Sequence, residues 1–363
     1  MPNEIAVEPG SILDGWLNAV ADAEASDLHV GAFRRPMMRV SGSLEPIEEL
    51  DLTPEMTEEI CLAVVPVRRR KELDDKGSCD FSFEHGVDRY RANVFRQRGT
   101  YAMVCRRLPQ DRLSFDQIGA PPVIKALAHL PRGLILVTGP TGSGKTTTLA
   151  SLIHEINETR SEHIITLEDP IEFQHESMKS VVNQREIGED TTNFSEALRR
   201  VLRQDPDVIM LGEMRDLETT AAAITAAETG HLVFGTLHTT GAARTMDRII
   251  DQYPKESQEQ VRAQLSVSLQ AVVSQVLIPK IGGGRVAAFE IMVRNSAIEN
   301  HIRKGETFKV PSVMQTQKRL GMQLLDDHLL ELVQNGVITR EAALQYAQMP
   351  GDLRQRLGGG GGD

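Results

Sequence analysis

Apolar and polar residues alternate in two different ways along the chain, and the pattern changes near residue 133. Beyond it, short apolar runs with few polar residues are separated by segments whose apolar residues recur with helical spacing. Such runs are typical of strands buried on both faces, and the intervening helices favour parallel crossover units. The pattern therefore predicts an α/β fold with a central, mostly parallel sheet, whose strands lie at 134–138, 163–167, 207–211, 231–236, 272–278 and 286–293.

The first 110 residues have a different pattern. An amphipathic helix is predicted from Ser11, and Thr53 followed by Pro54 is typical of a second helix start. Short strands are expected near 26–30 and 37–42, and alternating segments rich in β-formers predict an antiparallel sheet up to about residue 109. A small α+β domain is therefore expected here.

These patterns divide the chain into five parts. Residues 1–110 are the small α+β domain, and the Pro- and Gly-rich residues 111–132 are a linker. Residues 133–294 are the α/β core, and residues 295–350 are a helical section. The glycine-rich residues 351–363 are expected to be a flexible tail.

Composition and charge narrow the possible functions. The 363 residues carry a formal net charge of −11, which argues against a globally basic nucleic-acid binder. The sequence has no run of about 18 apolar residues, which is the length needed to span a bilayer. Its N-terminus lacks a signal-peptide pattern. The three cysteines form no CxxC pair, which argues against a disulfide framework or a cysteine-rich zinc site. A reduced, cytoplasmic protein is the expectation.

The apolar strand at 134–138 is followed by a sequence that fits G-x-x-x-x-G-K-[ST] at every position, and then by a helical pattern. Glycines let such a loop wrap a phosphate closely, and N–H groups at the helix start supply partial positive charge. Lys145 would reach the β- and γ-phosphates, and the Thr146 hydroxyl would bind Mg²⁺. ATP and Mg²⁺ are the predicted cofactors. The predicted nucleotide-binding residues here are Gly139, Pro140, Thr141, Gly142, Ser143, Gly144, Lys145, Thr146 and Thr147.

A P-loop of this kind needs a carboxylate at the end of a neighbouring strand, to hold the water bound to magnesium. The strand at 207–211 ends in Gly212 and Glu213, where an aspartate is usual. Glu213 is therefore the candidate for this carboxylate, and glutamate in place of aspartate is a departure from the usual pattern.

Two other strands have candidate chemistry at their ends. The strand at 163–167 leads into a group of carboxylates that would be costly to bury without a cation, and one of them is a candidate general base. These carboxylates are Glu168, Asp169 and Glu172. The strand at 231–236 is bracketed by His231 and His238, which could donate to a phosphate oxygen or relay a conformational change.

Together these segments resemble the secretion and pilus ATPase superfamily, which has a Walker A loop, an Asp box, an atypical Walker B strand and a His box in this order. The resemblance covers nearly the whole chain and is greatest to the type IV pilus retraction ATPases of the PilT/PilU group. It implies a PAS-like first domain and a RecA-like core. The segments are GPTGSGKTTT (139–148), ITLEDPIEF (165–173), RQDPDVIMLGEMRD (203–216) and ETGHLVFGTLHTTGAARTMDRIID (228–251).

The resemblance also implies roles for individual residues. Lys145 and Thr146 would bind phosphate and Mg²⁺, and Glu172 would be the general base. Glu213 would be the Walker B carboxylate, acting on Mg²⁺ partly through water. The implied His-box residues at the nucleotide are His231 and His238.

The implied function is an ATP hydrolase that works as a motor for pilus retraction in twitching motility, with hydrolysis coupled to rotation between its two domains. The family assembles as a ring of six, so a homohexamer is expected. The other implied partners are an inner-membrane platform protein and a paralogous retraction ATPase. The implied location is cytoplasmic, docked at the inner-membrane base of the pilus machine.

The sequence gives weaker indications of the direction of the motor and of the PilT or PilU subgroup. Extension and secretion ATPases usually have a tetracysteine zinc module, whereas this chain has no CxxC. This absence favours retraction, and a type II secretion or pilus extension ATPase is the alternative. GEMRD (212–216) is closer to PilT, whereas HIRKGE (301–306) is closer to PilU, so the sequence leaves the subgroup open.

Residues 89–107 contain six arginines, three aromatic residues and no acidic residue, which reverses the charge of the chain locally. One interpretation is binding of single-stranded nucleic acid, by a RecA-like nucleic-acid motor. The other is that some arginines face nucleotide phosphates. The resemblance favours the second, with Arg91 and Arg106 as candidates, so nucleic acid is not an expected partner.

Overall fold

The computed structural model describes residues 11–40, 42–108 and 113–358. The chain divides into two compact units, Met1–Asp111 and Arg112–Asp363, and each is described by itself. Parts of three predicted segments lie outside the described residues: the start of the first domain (1–10), the start of the linker (111–112) and the end of the tail (359–363).

The first unit is built from helices and antiparallel strands. Its helices are α1 (Ile12–Asp22), α2 (Pro54–Val64) and α3 (Val67–Lys76). Its strands are β1 (Asp27–Gly31), β2 (Met37–Val40), β3 (Ser43–Pro46), β4 (Ser78–His85), β5 (Asp88–Gln97) and β6 (Thr100–Arg107). They form one sheet in the order β3-β2-β1-β6-β5-β4. The predicted α+β unit is confirmed, while α3 and β3 were not predicted.

Local sequence explains where these helices begin. The Ser11 hydroxyl accepts a hydrogen bond from the Asp14 N–H, and the Thr53 hydroxyl accepts one from the Met56 N–H. Side chains along β5 alternate between buried and more exposed positions, so one face of the sheet packs against the helices. The core on that face includes Trp16, Leu17 and Tyr90.

The second unit contains the predicted α/β core and the helices that follow it. Its strands are β7 (Gly133–Thr138), β8 (His163–Glu168), β9 (Val181–Glu186), β10 (Val208–Leu211), β11 (Leu232–Leu237), β12 (Leu269–Pro279) and β13 (Arg285–Val293). Its helices are α4 (Pro122–Leu127), α5 (Lys145–Thr159), α6 (Phe194–Val201), α7 (Leu217–Glu228), α8 (Ala242–Ile250), α9 (Lys255–Ser268), α10 (Ser296–Lys304), α11 (Val310–Thr316), α12 (Leu325–Gln334), α13 (Arg340–Tyr346) and α14 (Pro350–Gly358).

The sheet of the second unit has the order β13-β12-β7-β11-β10-β8-β9. Its strand pairs are parallel except β12 with β13, which is antiparallel. Alternate residues of β7 enter different cores: Leu134 and Leu136 contact one cluster, whereas Ile135 and Val137 contact the other. The predicted fold class is therefore confirmed, with strands buried on both faces. Strand β9 was not predicted, because its sequence is largely polar and Val181 is exposed.

The end of the chain differs from the predicted flexible tail. Residues 350–358 form α14, and Leu353 is fully buried in a cluster with Leu329 and Ile338. The prediction of a tail from residue 351 is therefore wrong up to residue 358, because Leu353 anchors this short helix to α12 and the segment before α13. In the described parts of the chain, no helix is long and apolar enough to cross a membrane.

Candidate active site

The phosphate-binding sequence connects β7 to α5. Strand β7 ends at Thr138 and α5 begins at Lys145. Gly142 and Gly144 have positive φ angles of 76° and 87°, a backbone conformation that favours glycine. The loop therefore turns tightly and leads into the N-terminus of α5, where the helix dipole favours an anion.

The loop is fixed to β12, the neighbour of β7 in the sheet. The side-chain amide of Gln275 donates from Nε2 to the carbonyl of Ser143 at 2.6 Å, and its Oε1 accepts from the Thr148 hydroxyl at 2.8 Å. Sequence reasoning missed Gln275, because a single glutamine has no spacing signal. The available signal was a polar residue within a buried apolar strand, which must find hydrogen-bond partners.

The side chain of Lys145 turns back toward the loop. Its Nζ donates to the carbonyls of Gly139 at 2.9 Å and Pro140 at 3.1 Å. Burial lowers the pKa of Lys145, while the charges of Glu213 and Glu172 act in the opposite direction. The ammonium group therefore lies at the phosphate loop and within electrostatic reach of both predicted catalytic carboxylates.

Glu213 follows β10 at the same sheet edge as the phosphate loop. Its carboxylate accepts from Nε2 of His238 at 3.0 Å and pairs with the Arg215 guanidinium at 2.7 Å. Burial alone would raise the pKa of Glu213, but Arg215 and His238 outweigh burial and lower it. The carboxylate is therefore ionised at neutral pH and is oriented by two partners, one of them the predicted His238.

The carboxylates at the end of β8 have different surroundings. Glu168 is 5% exposed, and its Oε1 accepts from the Thr166 hydroxyl at 2.6 Å and from the Gln184 amide at 3.0 Å. Glu172 is half-buried, and no hydrogen bond or ion pair to another described residue uses its carboxylate. Glu168 is thus bound within the protein, whereas Glu172 has oxygens available to a ligand or water.

A cleft of about 80 Å³ joins these groups. Lys145 and Thr146 line it from the start of α5, and Glu172 and Glu213 line it from the ends of two strands. The structure therefore brings four of the predicted site residues together. The other residues that line the cleft are Leu149, Glu168, Asp169, Pro170, Phe194, Met210, Gly212 and Thr236.

The structure does not bring His231 to this cleft. His231 precedes β11, whereas His238 follows it, and the six residues between them span roughly 20 Å at about 3.3 Å each. The imidazole Nδ1 of His231 donates instead to the carbonyl of Ala226 at 2.9 Å, at the C-terminal end of α7. Within one chain His231 and His238 therefore lie at opposite ends of β11, and a contact of His231 with nucleotide stays a prediction.

Arg91 and Arg106 belong to the first unit and lie opposite each other on β5 and β6. Both are exposed, and the Arg106 Nε donates to Asp27 at 2.9 Å. Other arginines of this stretch also pair with carboxylates from neighbouring elements, namely Arg96 with Asp74 and Arg107 with Asp88. The local reversal of charge seen in the sequence is therefore partly neutralised in the fold.

The donor atoms in the cleft fit Mg²⁺. In the described ranges, no cluster of three or more His, Cys, Asp or Glu side chains could hold a metal by itself. Thr146 supplies a hydroxyl and Glu213 a carboxylate. Mg²⁺ takes oxygen ligands, and proteins usually bind it through one or two carboxylates together with substrate phosphates.

Comparison with known proteins gives consistent results. The family described as type II/IV secretion system protein matches residues 11–284. The type IV pilus retraction ATPase PilT of Pseudomonas aeruginosa is 51% identical over 327 residues, which cover 90% of this chain and 95% of the relative. The type IV pilus ATPase PilU of the same organism is 38% identical over 340 residues, which cover 93% of this chain and 89% of the relative. A crystal structure of the pilus retraction motor PilT with bound ADP matches with a TM-score of 0.90 and 48% identity, over 94% of this chain and 99% of that chain.

Proposed function

Because the chain belongs to the type II/IV secretion system protein family, we propose that it is a type IV pilus retraction ATPase that converts ATP hydrolysis into withdrawal of the pilus. The observation that carries the proposal is the cleft in which Lys145, Thr146, Glu172 and Glu213 meet. The identity to PilT, which extends over nine tenths of the chain, supplies the direction of the motor. The identity to PilU is lower, so the chain is PilT-like within this group.

Nucleotide binding follows from the loop and the start of α5. The backbone N–H groups of the loop would surround the β-phosphate, and Lys145 would exchange its bonds to the Gly139 and Pro140 carbonyls for phosphate oxygens. A phosphate oxygen is the stronger partner for an ammonium group, because it carries a formal negative charge whereas a peptide carbonyl carries only a partial one. Lys145 and the loop amides would then stabilise the charge that develops during hydrolysis.

Thr146 and Glu213 are the residues that would hold Mg²⁺, the second of them partly through water. When bound, Mg²⁺ neutralises phosphate charge and orients the γ-phosphate. Glu213 is held in place by His238 on one oxygen and by Arg215 on the other. These two contacts would keep the carboxylate ionised and directed at the cleft, so His238 acts on the site through Glu213.

Glu172 is the residue that would take the proton from the attacking water. Its carboxylate lines the cleft and is used by no hydrogen bond to another described residue. Glu168 also lines the cleft, but its Oε1 already accepts from Thr166 and Gln184. This difference in hydrogen bonding supports Glu172 as the base and Glu168 as a residue that shapes the end of β8.

The assembly is part of the same proposal. We infer a ring of six copies, docked in the cytoplasm at an inner-membrane platform protein and working beside a paralogous retraction ATPase. Arg91 and Arg106 are candidates for residues that face nucleotide phosphates, and rotation between the two domains is the proposed coupling to movement. Light scattering tests the ring: with ATP, the particle should have six times the mass of the 40.1 kDa chain.

A deletion and complementation experiment tests the direction of the motor. Loss of the gene should leave surplus surface pili and abolish twitching, and the unmodified gene should restore both. A gene carrying Lys145→Ala should restore neither, although the protein is present at normal amounts. Loss of surface pili in the deletion strain would contradict retraction and would favour an extension motor. Strong, salt-sensitive stimulation of purified ATPase activity by single-stranded DNA would favour a nucleic-acid motor.

A further inference from the structure

The polar side chain of Gln275 lies within a strand whose other residues are mostly apolar. It lies on β12, one residue beyond Ser274, which pairs with Thr138 at the end of β7. Its side chain is 2% exposed. A buried amide is unfavourable unless its donors and acceptors are satisfied, so the contacts of this side chain indicate what it does.

Both ends of the amide reach the phosphate loop and the first turn of α5. Nε2 donates to the Ser143 carbonyl at 2.6 Å, and Oε1 accepts from the Thr148 hydroxyl at 2.8 Å. The orientation follows from chemistry, because a carbonyl oxygen can only accept and must face the NH₂ group. Thr148 therefore orients the amide, and the amide in turn fixes one peptide group of the loop.

The fixed peptide is the one that joins Ser143 to Gly144. A trans peptide is planar, so its carbonyl and its N–H point in opposite directions. With the Ser143 carbonyl held against Gln275, the Gly144 N–H is directed to the other side of the loop. We propose that Gln275 is a positioning residue for nucleotide binding, which aims this N–H at the phosphate; the inference rests on the proposed function of the loop.

The glycines of the loop match this arrangement. A Cβ at Gly139 would lie 2.2 Å from the backbone oxygen of Gln275, and a Cβ at Gly144 would lie 3.0 Å from its Nε2. Both distances are shorter than ordinary van der Waals contact. The loop therefore packs directly on the residue that orients it, and two of its glycines are needed for this approach as well as for their backbone angles.

The test compares two methionine substitutions. Gln275→Met keeps the length of the side chain, adds no charge and removes both hydrogen bonds. The matched control is Gln323→Met, since the Gln323 Nε2 also donates to a backbone carbonyl, that of Phe289 at 3.0 Å, at a site away from the cleft. The measurements are Kd for fluorescent ADP and ATP analogues, KM and kcat with Mg·ATP, and the melting temperature.

Gln275→Met should raise Kd for both nucleotides about tenfold, which corresponds to about 1.4 kcal/mol. The value of kcat at saturating ATP should stay within about threefold, so the change falls on KM. Gln323→Met should leave Kd unchanged. An unchanged Kd in Gln275→Met, or an equal increase in Gln323→Met, would overturn the inference, because the second result is what a general loss of stability produces.

Thr148→Val is the second variant, in case Gln275→Met does not fold. It keeps the volume of the side chain and removes the hydroxyl that orients the amide, so Kd should rise about threefold. Affinity equal to that of the unmodified chain would again contradict the inference. If the unmodified chain bound no more nucleotide than Lys145→Ala, the proposed function would fail, and the positioning role of Gln275 would fail with it.

Discussion

Replacement of Glu172 by glutamine separates binding from hydrolysis in this site. The change removes a base and leaves the size of the side chain nearly unaltered. Because no other described residue forms a hydrogen bond or ion pair with the Glu172 carboxylate, the substitution breaks no contact that stabilises the fold. ATP binding depends on the phosphate loop and Lys145 and should therefore persist.

The expected loss is in the chemical step. General-base catalysis typically contributes about 10²–10⁴-fold to a rate, which is about 3–5 kcal/mol at 1.36 kcal/mol for each factor of ten. Glu172→Gln should reduce kcat by this factor, while Kd for ATP stays within about threefold. The melting temperature should stay within about 2 °C, since a substitution of similar size that breaks no hydrogen bond or ion pair changes stability by about 0.5 kcal/mol or less.

Glu168→Gln is the matched control, because it makes the same chemical change within the same cleft. The glutamine can keep an oxygen in the place of the Glu168 Oε1, where it still accepts from Thr166 and Gln184. Its kcat should stay within about fivefold of the unmodified value. Single-turnover hydrolysis and equilibrium nucleotide binding measure both variants. If Glu168→Gln lost hydrolysis and Glu172→Gln kept it, the assignment of the base would be refuted.

Three further predictions concern the metal, the end of the chain and the first unit. Removal of Mg²⁺ with EDTA should abolish ATP turnover. The melting temperature of the nucleotide-free protein should stay unchanged, because the described part of the chain has no cluster of side chains that could hold a metal by itself. A drop in this melting temperature would contradict the prediction. Leu353→Ala should reduce the free energy of unfolding by about 2–5 kcal/mol, since Leu353 is fully buried. Urea titration measures this free energy, and a change below about 0.5 kcal/mol would mean that α14 does not pack as described. Burial alone would raise the pKa of Asp27, but the Ser26 hydroxyl and the Arg106 guanidinium lower it below 3.8. The stabilisation by the ionised Asp27 is thus present above pH 3.8 and lost as the pH falls through the lower folded pKa. Asp27→Asn should therefore lower the urea midpoint at pH 7, and the difference in midpoint from the unmodified chain should shrink below about pH 3.8. A difference in midpoint that does not depend on pH would refute the ionic origin.

Much of the fold and site could be predicted, because the relevant signals are local in sequence. A strand buried on both faces needs a run of apolar residues, and β7 and β10 could be predicted from such runs. Glu213 comes just after the end of β10, and Lys145 follows β7 after the phosphate loop. Parallel neighbours end at one sheet edge, so residues that follow these strands converge there without further information.

The misses arise where position depends on contacts between distant segments. Gln275 lies more than a hundred residues from Ser143 in sequence, and its role depends on the pairing of β12 with β7. Leu353 lies in a sequence rich in polar residues, and its burial depends on the packing of α12. His231 and His238 bracket β11, so the strand places them at opposite ends, and it is His238 that pairs with Glu213.

The glutamate in place of the usual aspartate at the end of β10 has a physical explanation in Gly212. The Gly212 N–H donates to the Leu167 carbonyl at 2.7 Å, and the Gly212 carbonyl accepts from the Thr236 hydroxyl. A Cβ at Gly212 would lie 3.2 Å from the Leu167 oxygen and 3.3 Å from the Cα of Glu168. A side chain at this position would need the β8 backbone to shift by a few tenths of an ångström, which favours a carboxylate from the next residue. The extra methylene of Glu213 lets it reach the cleft from there, with His238 and Arg215 fixing its direction.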